Sequence, residues 1–137
     1  MTTKIKIGIV GSRAYTNKNK IKELIFEIKE KYGNSVEIVS GGQKDGADGF
    51  VKKFALMFGL NYVEFPPSHY SWNMHCVLPA SQYNKTYYVS NYFKRNKQIA
   101  EYSDIIVAFI QPGVESRGTK DTIKHAQKEK KLIKIIH

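Results

Sequence analysis

Cysteine and long apolar runs are both scarce in this sequence of 137 residues. The single cysteine, Cys76, has no partner for an internal disulfide, which excludes a disulfide-stabilised scaffold and fits a reducing compartment. No apolar run approaches the ~20 residues that cross a bilayer. The N-terminal residues lead directly into a strand-like apolar pattern, so we expect no signal peptide. We therefore expect a cytoplasmic protein without a membrane partner.

Metal-ligating residues are too few and too loosely spaced for a recognisable metal site. His69, His75 and Cys76 form one H-x5-H-C group, whereas a zinc site normally has a fourth ligand and tighter spacing. Cys76 also has no nearby helix start or base that would activate it as a nucleophile. We predict no metal site, and a buried or partly buried thiol at Cys76.

Acidic residues are outnumbered by basic ones, 12 against 22, which gives a net charge of +10. Such a charge attracts anionic small molecules and nucleic acids alike. Most of the excess is lysine on predicted helix faces, which is equally typical of a solvated surface. The length and a hydrophobic content of 42% predict a single domain over residues 1–137.

Apolar periodicity predicts strands that alternate with helices. The strands are predicted at 5–10, 36–39, 61–65, 105–110 and 132–136, and the helices at 17–32, 47–58, 90–102 and 119–130. Continuous apolar strands between amphipathic helices indicate an α/β domain, with a parallel sheet covered by helices on both faces. Right-handed crossovers and a reversal after the third strand predict the strand order 3-2-1-4-5.

One stretch, residues 66–89, breaks this alternation. It holds three of the four prolines and the only tryptophan, Trp72, and it shows no sustained period. We predict an irregular insertion with at most a short helix. Its tyrosines would either stack on a base or a single-stranded nucleic acid, or pack over the site or at a dimer contact: Tyr70, Tyr83, Tyr87 and Tyr88.

Glycine turns follow the first, second and fourth predicted strands. In the order 3-2-1-4-5, these three turns meet at one end of the sheet. Backbone N–H groups, hydroxyls and a guanidinium would surround an anion there, most plausibly a phosphate. The turns are Gly11-Ser12-Arg13, Ser40-Gly41-Gly42 and Ser116-Arg117-Gly118-Thr119.

Each of these residues also has a simpler interpretation. The glycines would then serve turn geometry alone, and Arg13 would be a surface arginine. Asp48 would cap a helix, and Ser116 and Thr119 compete as caps of the last helix. Arg95 would pair with an acid such as Glu101 or Asp104.

These motifs together resemble the SLOG superfamily of Rossmann-like domains, over nearly the whole chain apart from the insertion. The resemblance rests on the three turns with Gly46-Ala47-Asp48 and Arg95-Asn96. It is nearest to the small YspA/YpsA-related proteins and more distant from DprA and the LOG phosphoribohydrolases. It implies a three-layer Rossmann-like fold that binds a nucleotide or nucleotide-derived phosphate. The implied ligand contacts are Gly11, Ser12, Arg13, Ser40, Gly41, Gly42, Asp48, Arg95, Asn96, Ser116, Arg117, Gly118 and Thr119.

One position departs from the catalytic members of that superfamily. LOG enzymes have a P-G-G-x-G-T-x-x-E signature whose Glu assists cleavage of an N-glycosidic bond, and here Thr122 occupies that position. The catalytic residues are therefore unknown, with Glu115 and Asp121 as the nearest carboxylates.

The predicted function is binding of a nucleotide-type ligand, as a sensor, carrier or sequestering protein. No cofactor is expected to be required, and the partner is a nucleotide-derived small molecule. The alternatives are DprA-like binding of single-stranded DNA and LOG-like hydrolysis. We also expect a homodimer or a higher homo-oligomer.

Overall fold

A computed structural model describes residues 4–137. It contains five strands, four α-helices and two short 3-10 helices at Gly33–Ser35 and Ala80–Gln82. The strands are β1 (Ile5–Gly11), β2 (Val36–Ser40), β3 (Asn61–Glu64), β4 (Ile105–Phe109) and β5 (Leu132–Ile136). The helices are α1 (Lys18–Tyr32), α2 (Gly46–Met57), α3 (Ser90–Tyr102) and α4 (Arg117–Lys128). None of these helices is long and apolar enough to cross a membrane.

The strands form one parallel sheet in the order β3-β2-β1-β4-β5. β1 lies in the centre, and its Gly8 pairs with Val39 of β2 on one side and Ile106 of β4 on the other. The predicted α/β class, the Rossmann-like architecture and the order 3-2-1-4-5 are confirmed. Successive strands are added on one side of β1 up to β3 and on the other side from β4 onwards. The point between β1 and β4 where the order switches is where doubly wound sheets bind ligands.

Two apolar clusters fill the two faces of the sheet. On one face, buried residues of α1 and α2 such as Ile21, Ile25 and Val51 pack on β1 and β2. On the other face, Ile99 of α3 and Ala126 of α4 pack in one cluster with Ile106 of β4. The alternating apolar pattern of the helices thus has its expected cause, which is burial on both faces of a parallel sheet.

The helix ends agree with the predicted ones to within two residues. The Asn17 side chain accepts a hydrogen bond from the Lys20 amide and caps α1. α4 begins at Arg117 rather than Thr119, because Ser116 is its N-cap residue. Asp48 does not cap α2, since the N-cap position is Asp45 and Asp48 lies within the first turn.

Residues 66–89 form the predicted irregular insertion, and we call them the insertion from here on. Its backbone is hydrogen-bonded to the sheet at the outer edge of β3. The Glu64 amide donates to the carbonyl of His75, and the Val77 amide donates to the carbonyl of Glu64. The insertion then returns to α3 through Asn91, whose side-chain amide donates to the carbonyl of Thr86.

Candidate functional site

A hollow of about 450 Å³ lies beyond the carboxyl ends of β1 and β4, and we call it the first hollow. Loops after β1, β2 and β4 line it together with α3. Its lining residues are Val10, Gly11, Ser12, Arg13, Ala14, Gln43, Asp48, Val89, Tyr92, Phe93, Arg95, Asn96, Ile99, residues 114–119 and Thr122. Most of the predicted ligand contacts are therefore brought to one place.

The turn after β1 is held by hydrogen bonds from the amide, the carbonyl and the hydroxyl of Ser12. Its amide donates to the carbonyl of Phe109, and its hydroxyl accepts from the Ala14 amide. Its carbonyl accepts from the Ala47 amide, which ties this turn to the start of α2. A side chain at Gly46, whose φ is +67°, would overlap the carbonyls of Ser12 and Arg13. The Ser12 side chain thus builds the turn, and the Arg13 amide has no acceptor within residues 4–137.

Arg13 and Arg95 provide positive charge on the same side of the first hollow. Arg13 is exposed, and its guanidinium lies 5.9 Å from the centre of the Tyr92 ring. The Arg95 guanidinium lies 5.8 Å from the same ring. Since Tyr92 is half-buried, the ring keeps both cations facing this region.

Arg95 is fixed in place by two hydrogen bonds. Its Nη1 donates to the carbonyl of Gly41 at 2.8 Å, and its Nε donates to the Asn96 Oδ1 at 3.0 Å. A guanidinium carries five N–H donors, so three remain for a ligand. Within residues 4–137, Arg95 forms no ion pair with Glu101 or Asp104, and Glu101 pairs with Lys97 instead.

The turn after β2 lies behind Arg95 and not at the surface of the hollow. Ser40, Gly41 and Gly42 are absent from the lining, contrary to the predicted arrangement. The Ser40 hydroxyl accepts from the Gly42 amide, and the Gly41 carbonyl holds Arg95. A side chain at Gly41 would overlap the Arg95 Nη1. The glycine therefore makes room for the arginine, which occupies the space we assigned to a phosphate.

Asp48 is a buried carboxylate of the first hollow. Its Oδ2 accepts a hydrogen bond from the Gln43 amide at 3.4 Å. Burial raises the pKa of Asp48 to about 6, and the positive charge of Arg95 opposes this rise. The side chain thus places an acid beside the positive charge of Arg95.

The start of α4 closes the opposite side of the first hollow. The Ser116 hydroxyl accepts from the Thr119 amide at 3.4 Å and donates to the Thr119 hydroxyl at 2.7 Å. The amides of Arg117 and Gly118 have no acceptor within residues 4–137. Unpaired amides and the positive end of the helix dipole make this a favourable place for an anion.

The two carboxylates considered for catalysis, Glu115 and Asp121, do not meet in the first hollow. Glu115 stands exposed at the rim and pairs with Lys120 at 3.3 Å. Asp121 does not line the hollow, because it accepts from the Asn96 side chain at 3.3 Å and lies 3.5 Å from His125. Thr122 lines the hollow, but its hydroxyl donates to the carbonyl of Gly118.

Several lining residues were missed at the level of sequence. Tyr92 and Phe93 lie on α3 three and two residues before Arg95, so the helical period could have placed Tyr92 on the same face as Arg95. Phe93 is 46% exposed at the hollow. Gln43 carried no recognisable signal.

A second group of polar side chains, which the sequence did not predict, surrounds Glu64 behind the turn after β2. This carboxylate is 1% exposed and receives hydrogen bonds from Tyr62 at 2.9 Å and Asn73 at 2.7 Å, and Lys52 lies 2.9 Å away. Burial alone would raise its pKa, but these partners outweigh burial and lower it. Glu64 therefore anchors the insertion to β3 and α2.

The loose His69, His75 and Cys76 group is spread over different contacts. His69 packs against Tyr70, Tyr87 and Tyr92, and His75 packs against Tyr62. Cys76 is half-buried, and its sulfur accepts from the Asn73 amide. Within residues 4–137, no group of three or more His, Cys, Asp or Glu side chains is placed to hold a metal ion.

Comparison with known proteins identifies structural neighbours only. No protein-family model matches the chain, and no curated protein matches its sequence. A molybdenum cofactor binding protein from Rippkaea orientalis superposes with a TM-score of 0.73 at 17% identity, over 98% of this chain and 77% of that one. The molybdenum cofactor carrier protein of Chlamydomonas reinhardtii superposes with a TM-score of 0.68 at 22% identity, over 96% of this chain and 76% of that one. At these identities the likeness establishes the fold.

These neighbours correct the prediction about cofactors. We expected no required cofactor and a nucleotide-type ligand, whereas the structural neighbours are described as molybdenum cofactor binding and carrier proteins. The physical reason for the error is that glycine turns and helix starts recognise an oxyanion. They carry no information about the ring to which that oxyanion is attached.

Proposed function

We propose that this protein binds and carries a phosphorylated pterin cofactor of the molybdenum cofactor class in the first hollow. The observation that carries the proposal is the meeting of Arg13, Arg95 and the start of α4 around one space of about 450 Å³. That volume suits a cofactor-sized ligand. The molybdenum cofactor proteins with the same fold support the choice of a pterin.

The phosphate would lie between the β1 turn and the start of α4. Three residues that line this part have amides without an acceptor within residues 4–137: Arg13, Arg117 and Gly118. Arg95 offers further N–H donors from a fixed position. Backbone amides and guanidinium groups together form the charge-assisted hydrogen bonds that an oxyanion requires.

The ring would lie against the apolar and aromatic part of the lining. Tyr92, Phe93 and Val114 provide flat or apolar surface there. Asp48 and Glu115 add two carboxylates to the same lining, and carboxylates accept hydrogen bonds from ring N–H groups. A pterin has both a flat face and N–H donors, so this combination favours it over a simple phosphate.

Binding without turnover is favoured by the positions of the acidic side chains. Glu115 is paired with Lys120, and Asp121 lies outside the hollow beside Asn96 and His125. Membership of the SLOG superfamily remains our proposal. It is supported by the position of the β1 turn, Arg95-Asn96 and the start of α4 at this hollow, although the turn after β2 lies behind Arg95. The single-stranded nucleic acid alternative and the predicted homo-oligomer remain predictions.

The direct test compares a phosphorylated pterin with its dephosphorylated form. We expect the purified protein to bind the phosphorylated form about tenfold more tightly or better, because only that form engages the amides and arginines. Arg13→Ala should lower this affinity by about tenfold and leave binding of the dephosphorylated form unchanged. Fluorescence titration of the pterin measures both affinities.

Lys128→Ala is the matched control, since it removes one exposed positive charge at the far end of α4. It should bind both pterins as the unmodified protein does. Equal affinity for the two pterins, or an equal loss in both variants, would contradict the proposal. Mass spectrometry of small molecules released by denaturing the natively purified protein would identify the ligand independently.

A further inference from the structure

A second hollow, of about 460 Å³, lies on the other side of Arg95. It is formed between the insertion and one face of α3. The helix contributes Asn91, Lys94, Arg95 and Gln98, which follow the helical spacing of a single face. The insertion contributes Ser68 and Lys85, among others.

The walls of the second hollow are held together by hydrogen bonds. The Lys85 amide donates to the carbonyl of Ser68 at 3.1 Å. Asn91 is 6% exposed, and its side-chain amide donates to the carbonyl of Thr86 and lies 3.2 Å from the Nδ1 of His69. The insertion is therefore fastened to α3 at the point where the hollow forms.

The charge on these walls has a single sign. Lys85, Lys94 and Arg95 all line the second hollow, and no Asp or Glu does. Within residues 4–137, neither lysine ammonium group takes part in an ion pair or a hydrogen bond. Arg95 uses only two of its N–H donors, on Gly41 and Asn96. Three cations that line one concave surface without a counter-charge attract an anion.

Uncharged hydrogen-bonding groups accompany the cations. The side chains of Ser68, Thr86 and Gln98 line the hollow and have no hydrogen-bond partner within the part of the chain that the structure describes. Hydroxyls and amides next to cations are the usual surroundings of a bound phosphate group.

We infer that the second hollow is a separate binding site for a phosphorylated small molecule, with Lys85, Lys94 and Arg95 holding its phosphate. The site is distinct from the first hollow, because the two share only Arg95 among their lining residues. It depends on the insertion for Lys85 and on α3 for Lys94.

Titration with inorganic pyrophosphate, followed by 15N NMR, tests this inference. Two sets of amide signals should shift: one from Arg13 and Gly118 at the first hollow, and one from Thr86 and Lys94 at the second. The double variant Lys85→Ala/Lys94→Ala should weaken binding at the second set by about tenfold or more and should not weaken binding at the first set. Arg13→Ala should have the opposite effect.

Lys97→Ala is the matched control, because Lys97 is an exposed lysine of α3 that lines neither hollow. Signals that shift only around the first hollow would overturn the inference. So would an equal weakening in Lys97→Ala, which would indicate attraction to the general positive surface. A thymidine oligonucleotide that binds at the second hollow far more tightly than pyrophosphate, with a steep dependence on salt, would assign it to nucleic acid and also overturn the inference. If pyrophosphate binds at the second hollow while a phosphorylated pterin does not bind the protein, only the proposed function would be overturned.

Discussion

Asp48 is the side chain that sets the balance of charge beside Arg95. It is 8% exposed, and burial raises its pKa to about 6 from 3.8. Near neutral pH it is therefore mostly ionised, at a cost in stability that the nearby guanidinium partly offsets. The Asp48 carboxylate thus provides a negative charge beside the Arg95 guanidinium in a part of the hollow that is shielded from water.

Asp48→Asn should remove a pH-dependent contribution to stability. Because the pKa is higher in the folded state, the folded protein holds this proton more tightly than the unfolded chain does. The contribution of Asp48 to the free energy of unfolding therefore falls as the pH rises from 3.8 to about 6, by at most about 3 kcal/mol. The free energy of unfolding of Asp48→Asn should therefore increase relative to that of the unmodified protein as the pH rises over this range.

Urea unfolding at pH 4.5, 5.5, 6.5 and 7.5 measures that difference. Asp45→Asn serves as control, because Asp45 is exposed at the N-cap position of the same helix and its side chain makes no capping hydrogen bond. A difference that stays constant between pH 4.5 and 7.5 would show that Asp48 titrates as an ordinary acid.

At the scale of single residues, the sequence predicted which side chains gather but not how each is used. Arg13 and Ser116 are where the turns and caps indicated, and Arg95 is where the SLOG resemblance implied. Gly41 was assigned to a ligand, yet its carbonyl holds Arg95. A glycine that leaves room for a ligand and one that leaves room for an arginine have the same sequence pattern, so only the three-dimensional contact distinguishes them.

Among the elements, the insertion is the one that is joined to the sheet through a buried acid, Glu64. Glu64 ends β3, and its carboxylate accepts from Asn73 of the insertion and lies beside Lys52 of α2. Its lowered pKa means that these partners stabilise the fold above pH 4.5, and that this contribution is lost as the pH falls through the folded-state value. The insertion and the core are thus joined most firmly near neutral pH.

Asn73→Ala should loosen the insertion while leaving the sheet in place. It removes a donor from a buried carboxylate, which should lower the free energy of unfolding by about 1–3 kcal/mol and start acid unfolding at a higher pH. Hydrogen exchange should accelerate at Val77 and Lys85, whose amides are bonded to Glu64 and Ser68.

Ser71→Ala provides the comparison, since Ser71 is exposed in the same insertion and its side chain makes no hydrogen bond within residues 4–137. It should exchange as the unmodified protein does. Uniform acceleration across β1 and β4 in Asn73→Ala would show that Glu64 supports the whole sheet and not the insertion.

The regular elements were predictable because their apolar residues recur at the spacing that burial on a sheet requires. α1 and β2 lie where the pattern places them. The path of the insertion was not predictable, because its order comes from long-range bonds to Glu64 and Asn91 and not from local periodicity. Glu64 itself looked like an ordinary polar residue at the end of an apolar strand.

For the molecule as a whole, the net charge of +10 bears on how an anionic ligand arrives. Both hollows have basic walls, so the overall charge and the local charge act in the same direction. Attraction at distances beyond contact raises the association rate and is screened by salt within about 10 Å at 0.1 M.

The association rate constant of a phosphorylated pterin should therefore fall by about tenfold or more between 20 mM and 500 mM NaCl. The dissociation rate constant should change much less, because the contacts of the bound ligand are short and partly desolvated. Stopped-flow fluorescence measures both constants. An association rate that is unaffected by salt would mean that the lysine-rich surface is too dispersed to act on the ligand.

Arg95 lines both hollows, and this shared position has a thermodynamic consequence. An anion held on one side of the guanidinium uses part of the attraction that an anion on the other side would feel. Two occupants that never touch would thus oppose each other through one cation, and by linkage each would weaken the other by the same factor. A molecule with this arrangement would release one cargo more readily when the other is abundant.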